Sequence, residues 1–357
     1  MSQHVYQSIV IGAEQSGLTA SYELKRRGID HIVLDANSTP GGAWQHRWDS
    51  LTMNDVHRVA DLPGAPAPGA SSTQSNKAIP DYFARYEKEF ELPVVRPVKV
   101  TSVRNAQENP QLLEVQSENE SWLAETVVSA SGTWTHPFLP YYPGAEKFKG
   151  LQIHAAGYTF ADVFKDKKVL VVGGGASAVQ LIGEVAHTAR EVLWATRSEP
   201  SWRKGPVDGL ASVTWVESRT TQGLPPSSVV TSTGLTLRPQ EEFAKNLGIY
   251  ERRVSMFEEL TEHAAKWADG TVREFDAIIW ATGFRYAFDY LAPLKLRSEH
   301  GGIALESVKN NVQGATTAVK DARVKFVGYG PSASTVGASK AGRQAAIAVR
   351  KFLIENK

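Results

Sequence analysis

Two glycine-rich turns are the parts of this 357-residue chain best suited to chemistry. The first is Gly12-Ala13-Glu14-Gln15-Ser16-Gly17, directly after the apolar run Ile9-Val10-Ile11; the second is Gly173-Gly174-Gly175-Ala176-Ser177-Ala178, directly after Lys168–Val172. A strand–turn–helix of this kind serves a dinucleotide. The first glycine permits the tight turn, the second lets backbone approach a pyrophosphate, and the third lets the helix pack on the strand. The helix start then offers N–H groups and a positive dipole end to the phosphates, and an acidic side chain about 20 residues on takes the ribose hydroxyls. In the first turn Gly12 and Gly17 fit, and Asp35 stands eighteen residues after Gly17. Glu14 stands where the second glycine belongs, which adds bulk and charge where phosphates should approach. Taken alone, this first motif is equally an ordinary βα turn without a ligand.

The second turn keeps the first two glycines and has Ala178 at the third position, an allowed variant. Its acidic residue is missing: Thr196-Arg197-Ser198 takes that place. A carboxylate there would repel a 2′-phosphate, whereas a guanidinium grips it through charge-assisted, bidentate hydrogen bonds. The register therefore favours NADPH over NADH; the other reading of Arg197 is a solvated surface arginine.

The elements that must position these turns follow the same grammar twice. Residues 7–35 read as strand, helix and strand, with short apolar runs bounded by glycine, the mark of a βαβ unit on a parallel sheet. About 160 residues later, Ala178, Leu181, Ile182 and Val185 recur at helical spacing and Glu191–Ala195 reads as the next strand. Leu62–Ser72 and residues 218–235 read as loops, Asp269-Gly270 as a hairpin turn and Phe275–Ala281 as a buried strand. The pattern from Ala341 to Leu353 reads as an amphipathic C-terminal helix. The expected fold is α/β with two Rossmann-like dinucleotide-binding units.

Composition narrows the function. Hydrophobic residues make up 42% and charged residues 22%, an ordinary globular balance that excludes a disordered or fibrous chain. A net charge of +1 gives no footprint for nucleic acid or an anionic membrane. The absence of cysteine excludes a disulfide scaffold, a thiolate metal site, a cysteine nucleophile and a dithiol redox pair. Met1–Tyr6 has no basic leader region and the apolar run after it is short, so the expectation is a soluble, cytoplasmic protein without a resident metal.

These turns, with four further segments, resemble the flavin-containing monooxygenase and Baeyer–Villiger type of flavoprotein monooxygenase. Gly41-Gly42-Ala43-Trp44 matches that family's GGxW flavin loop. Phe148-x-Gly150-x-x-x-His154-x-x-x-Tyr158 matches its FxGxxxHxxx-aromatic fingerprint. Ala281-Thr282-Gly283 matches its ATG return segment, and Ala130–Trp134 is a variant of the earlier equivalent. Order and spacing agree from Ser8 to the C-terminal helix, and the length suggests a compact bacterial-type member.

The resemblance implies a discontinuous FAD domain, 1–147 plus 283–357, with an NADPH domain, 148–282, inserted in it. It assigns Gly12, Gln15, Ser16, Gly17, Asp35, Gly41, Gly42, Trp44 and Arg47 to FAD. Gly173, Gly175, Ala176, Ser177, Ala178, Thr196, Arg197 and Ser198 go to NADPH, with Thr282 and Gly283 as further cofactor residues and Phe326–Gly330 facing the flavin ring. Asn54 has two readings: a catalytic asparagine beside the flavin, or a turn residue of Asn54-Asp55. His154 reads as a linker residue in communication between domains. The implied activity is insertion of one oxygen atom from O2 into a small sulfur or nitrogen nucleophile, or a ketone, through a flavin C4a-(hydro)peroxide. The alternatives are an NADPH oxidase or reductase without oxygen insertion, and, because of Glu14, an FAD-deficient nucleotide-binding protein. Glu14 also implies weak FAD retention.

Overall fold

The computed structural model describes residues 4–56, 59–203, 205, 209–226, 234–307, 315–333 and 335–356. Strand β1 (Val5–Ile11), helix α1 (Gln15–Lys25) and strand β2 (His31–Leu34) form the first βαβ unit. Helix α2 (Ser75–Glu89) leads to β3 (Val94–Val95), then the antiparallel strands β4 (Ser102–Asn105), β5 (Leu113–Gln116) and β6 (Ser121–Ser129). The sheet runs β3-β2-β1-β6-β5-β4. Its core strands are parallel, with Val10 paired to Val33 on one side and to Val128 on the other. Ile9 and Val10 are fully buried, because a central parallel strand is covered on both faces.

A second, parallel sheet is built from β7 (Leu151–His154), β8 (Lys168–Val172) and β9 (Glu191–Ala195), with α3 (Ala176–Val185) as the crossover. Helix α4 (Gly209–Thr221) and the short α5 (Glu242–Asn246) precede a small antiparallel sheet of β10 (Glu259–Leu260), β11 (Ala264–Lys266) and β12 (Val272–Glu274). Strand β13 (Ala277–Trp280) then inserts between β7 and β8, giving the order β7-β13-β8-β9. All strands of this second sheet lie between residues 151 and 280.

The chain then returns to the first sheet. Strand β14 (Val324–Phe326) pairs in parallel with the C-terminal half of β6. Helix α6 (Thr335–Glu355) lies against α1, burying Ala341, Ala345, Ala346, Val349 and Leu353. The helices meet at a glycine: a Cβ on Gly342 would stand 2.7 Å from the Cβ of Thr19.

The βαβ units, the 269–270 hairpin and the C-terminal helix match the sequence reading. The loop assigned to 218–235 does not entirely. Residues 218–221 close helix α4, residues 222–226 and 234–235 are irregular, and 227–233 fall outside the described residues. The hydroxyls that suggested a loop bond back to the helix's own carbonyls, Ser218 to Trp215 and Thr220 to Glu217, so they are satisfied within it. Val216 and Thr220 are buried, and a Cβ on Gly330 would stand 2.6 Å from Thr220 Cγ2. Among the described residues no helix is long and apolar enough to cross a membrane.

The close α1–α6 contact leaves no room for a side chain at 342. Gly342→Val is expected to cost about 1–3 kcal/mol of folding stability through overpacking, read as a lowered Tm in thermal unfolding.

Candidate functional site

Each glycine turn is pressed against the neighbouring strand's exit. A Cβ on Gly12 (φ +102°) would lie 2.5 Å from the carbonyl oxygen of Ala130; one on Gly173 (φ +138°) would lie 2.1 Å from that of Ala281. Both positions therefore need glycine for conformation and for space. Gly17 is equally constrained, since its Cβ would fall 1.9 Å from the Gly12 carbonyl oxygen.

The first turn opens into a cavity of about 730 Å3, within the range of small-molecule and cofactor sites. Gly12, Asp35 and Gly42 of the anticipated FAD residues line it, together with Glu14 and Trp134. Gln15, Ser16, Gly17, Gly41, Trp44 and Arg47 are not among its lining residues. Gln15 donates from Nε2 to the Ala60 carbonyl oxygen at 3.0 Å, tying the helix start to a loop. Ser16 abuts the Gly328 turn, where a Cβ would stand 3.3 Å from Ser16 Oγ. Gly41 and Gly42 both have positive φ, and Gly41 packs on Pro80. Arg47 lies over two indoles, its Cζ 4.6 Å from the Trp134 ring centre and 5.5 Å from that of Trp44. Its buried Nε has no hydrogen-bond partner among the described residues.

Asp35 is almost fully buried and is held in place by partners that sequence reasoning missed. Arg96 donates from Nε to its Oδ2 at 2.7 Å and makes two 2.7 Å bonds to Glu87, while Asn37 donates to Oδ1. Asp35 thus reaches the cavity wall paired to a guanidinium that it shares with Glu87. Arg96 is 61 residues away in sequence, and no spacing rule connects them.

The second turn has the same form with a more open mouth. A Cβ on Gly175 meets nothing within 4 Å, and Ala176, Ser177 and Ala178 begin helix α3. Thr196 is buried beside Gly174, and its hydroxyl donates to the Ser198 carbonyl at 2.7 Å. Arg197 and Ser198 are exposed. Arg253, unremarked in the sequence, bonds the Thr196 hydroxyl at 3.0 Å from 57 residues away and also pairs with Glu199.

The family fingerprint knits the two sheets together. The His154 Nδ1 accepts from Ala156 N at 3.0 Å, so its Nε2 donates to the Gly283 carbonyl, also at 3.0 Å. Burial holds this imidazole below its usual range, hence neutral, which fits a linker hydrogen bond. The return segments run side by side: Phe138 N bonds Gly283 O at 2.9 Å, Arg285 N bonds His136 O at 2.8 Å, and the Thr282 hydroxyl donates to Phe138 O. Thr282 and Gly283 thus sit in the connection between the sheets. Asn54 lies in a turn closed by Asp55 N to Thr52 O at 2.9 Å; it is exposed and does not line the cavity.

Glu184 on α3 is a further junction. It accepts from Trp48 Nε1 at 2.6 Å, Ser50 Oγ at 2.7 Å and Tyr158 Oη at 3.0 Å. Trp48 and Leu51 are packed into the core of the second sheet, so this carboxylate fastens an N-terminal loop to the inserted half. Glu184→Ala leaves three donors without their acceptor, and hydrogen bonds to a charged group are worth about 1.5–3 kcal/mol each. With partial replacement by water, the expected loss is about 2–3 kcal/mol, measured by denaturant unfolding.

Residues 9–312 match the family model described as pyridine nucleotide-disulphide oxidoreductase. An uncharacterized CzcO-like oxidoreductase of Geobacillus kaustophilus is 28% identical over 81% of this chain and 83% of that protein. The flavin-containing monooxygenase FMO GS-OX5 of Arabidopsis thaliana is 26% identical over 79% of this chain, which spans 61% of that longer protein. The solved flavin-containing monooxygenase from Stenotrophomonas maltophilia superposes with a TM-score of 0.82 at 33% identity, covering 98% of this chain and all of that one. A chain without cysteine cannot carry a redox-active thiol pair. The protein belongs to the pyridine nucleotide-disulphide oxidoreductase family, as a flavoprotein monooxygenase of the flavin-containing monooxygenase type.

Proposed function

We propose that the protein is an NADPH-dependent flavoprotein monooxygenase that transfers one oxygen atom from O2 to a small sulfur or nitrogen nucleophile, or to a ketone. The observation that carries this reading is the pair of matching dinucleotide turns, each leaving a central parallel strand of its own sheet, in a chain that has no thiol. The cavity at the first turn fits FAD: it has a glycine backbone cradle, the Asp35 carboxyl for ribose hydroxyls and, nearby, an Arg47 Nε without a hydrogen-bond partner among the described residues, for an anion. Bound FAD supplies the hydride acceptor and the oxygen-activating centre.

The chain's own residues do the positioning. Gly12, Gly17, Gln15 and Ser16 shape the start of α1 for the pyrophosphate, with Gly41, Gly42, Trp44 and Arg47 closing over it. Gly173, Gly175, Ala176, Ser177 and Ala178 do the same for NADPH, and Thr196, Arg197 and Ser198 receive the 2′-phosphate. Thr282, Gly283 and His154 set the relation between domains 1–147 plus 283–357 and 148–282. Asn54, in an exposed turn, is proposed to hydrogen-bond the flavin or the retained nicotinamide.

The exposed Arg197 is free to swing onto a 2′-phosphate that NADH lacks. Arg197→Ala is expected to raise the KM for NADPH about 10- to 100-fold, the worth of one charge-assisted contact, with NADH little changed. On a panel of sulfides, amines and ketones, oxygenated product should form in step with NADPH consumed. NADPH oxidation yielding only H2O2 on every acceptor would leave an oxidase.

A further inference from the structure

The second turn is an internal control for Glu14. Glu14 and Gly175 occupy the same position of the two motifs and precede their helices with nearly the same extended backbone: φ −100° and ψ −175° at Glu14, φ −102° and ψ 176° at Gly175. Any residue adopts that conformation, so strain is not why a glycine belongs there. Space is the reason. The 4 Å of open surroundings at the Gly175 Cβ position is the volume a dinucleotide turn leaves to phosphates. In the first turn a side chain fills it.

The Glu14 side chain is turned toward the 41–43 loop. A Cβ on Gly42 would come 2.9 Å from Glu14 Cβ and Cγ and 3.0 Å from its Cδ, so only a glycine loop accommodates it. Glu14, Gly42 and Ala43 line the same cavity, and the Ala43 backbone N–H and the Arg47 guanidinium both favour the charged form of this carboxylate. A backbone N–H and a desolvated guanidinium are a donor set suited to a phosphate. Here both act on a carboxylate of the chain itself.

We propose that Glu14 is a built-in anion that competes with the FAD pyrophosphate for the Ala43 N–H and Arg47, so that FAD binds only as this carboxylate is displaced or neutralised. The inference rests on reading the first site as the FAD site. Its direction with pH follows from electrostatics. Two phosphates beside Glu14 disfavour its charged form, so binding takes up a proton and affinity rises as pH falls. Burial already pushes the Glu14 carboxyl above its usual range, against Arg47 and the Ala43 N–H, and Asp35 adds to the push. Lys99, Asp289, His46 and His136 also face the cavity. With two histidines on the same cavity wall, a neutral residue at 14 is needed as the control.

The test is a flavin-fluorescence titration of the full-length, FAD-stripped protein at about pH 5.5 and about pH 8.5, on either side of the histidine range. Glu14→Gln and Glu14→Gly are titrated alongside, with folding checked by circular dichroism. At the higher pH both variants should bind FAD at least about tenfold more tightly than the unmodified protein, one unit of proton linkage being about tenfold in affinity. The acid-side tightening of the unmodified protein should exceed that of Glu14→Gln. Equal affinities for all three, with FAD retained through dialysis, would overturn the proposal and leave the monooxygenase reading standing. Tight binding by Glu14→Gly but not by Glu14→Gln would also overturn it, since bulk rather than charge would then decide. Folded proteins that bind no FAD at either pH would overturn the FAD reading and this inference with it.

Discussion

One close approach recurs and organises the molecule: a turn leaving a central parallel strand must pass its neighbour's carbonyl at contact distance. It occurs at Gly12 against Ala130 and at Gly173 against Ala281. A Cβ at either position would collide with backbone, which cannot move aside as a flexible side chain can. With that contact made, the helix after each turn starts beside the sheet's carboxyl edge, where α/β sheets bind their ligands. The same contact fixes where the two exits, Ala130–Trp134 and Ala281–Arg285, begin. They then run together as the bridge between the sheets.

The bridge explains the family fingerprint in physical terms. Phe148 is buried beside Gly150, whose Cβ would strike both the Phe148 ring and the Asp276 carbonyl. His154 spends one ring nitrogen on its own chain and the other on Gly283. Tyr158 stacks on Phe164, meets Trp48 edge-on and donates to Glu184. These residue types are selected by packing and hydrogen bonding at a junction.

Charge at the first site is arranged in two layers. Arg96 lies between Asp35 and Glu87 in a largely buried chain, so removing the guanidinium would leave two buried carboxylates without their shared partner. Nearer the turn, Arg47 lies against aromatic faces that stabilise a guanidinium, and its buried Nε has no hydrogen-bond partner among the described residues. The first layer fixes the position of the Asp35 carboxyl at the cavity wall. The second is a cation with one N–H left for an acceptor, the complement of a phosphate or of an acidic side chain.

The sequence by itself determined the two βαβ units, the hairpin at 269–270, the C-terminal helix and the positions of both glycine turns. Each is a local matter: apolar period, positive-φ glycine and chain spacing are written in adjacent residues. It also marked Glu14 as a departure, because a glycine position is recognised by what it excludes. Tertiary structure alone decided that β13 inserts between β7 and β8 and that β14 rejoins the first sheet. It alone brought Arg96 to Asp35, Arg253 to Thr196 and Glu184 to Trp48. These partners meet from 57 to 136 residues apart, and a hydrogen bond across such a distance leaves no periodic trace in the chain. Asn54 shows the same limit from the other side, because its surroundings depend on loops folded against it. The direction of the Glu14 side chain likewise belonged to the fold, since it is Gly42, brought up from another segment, that gives the carboxylate its place.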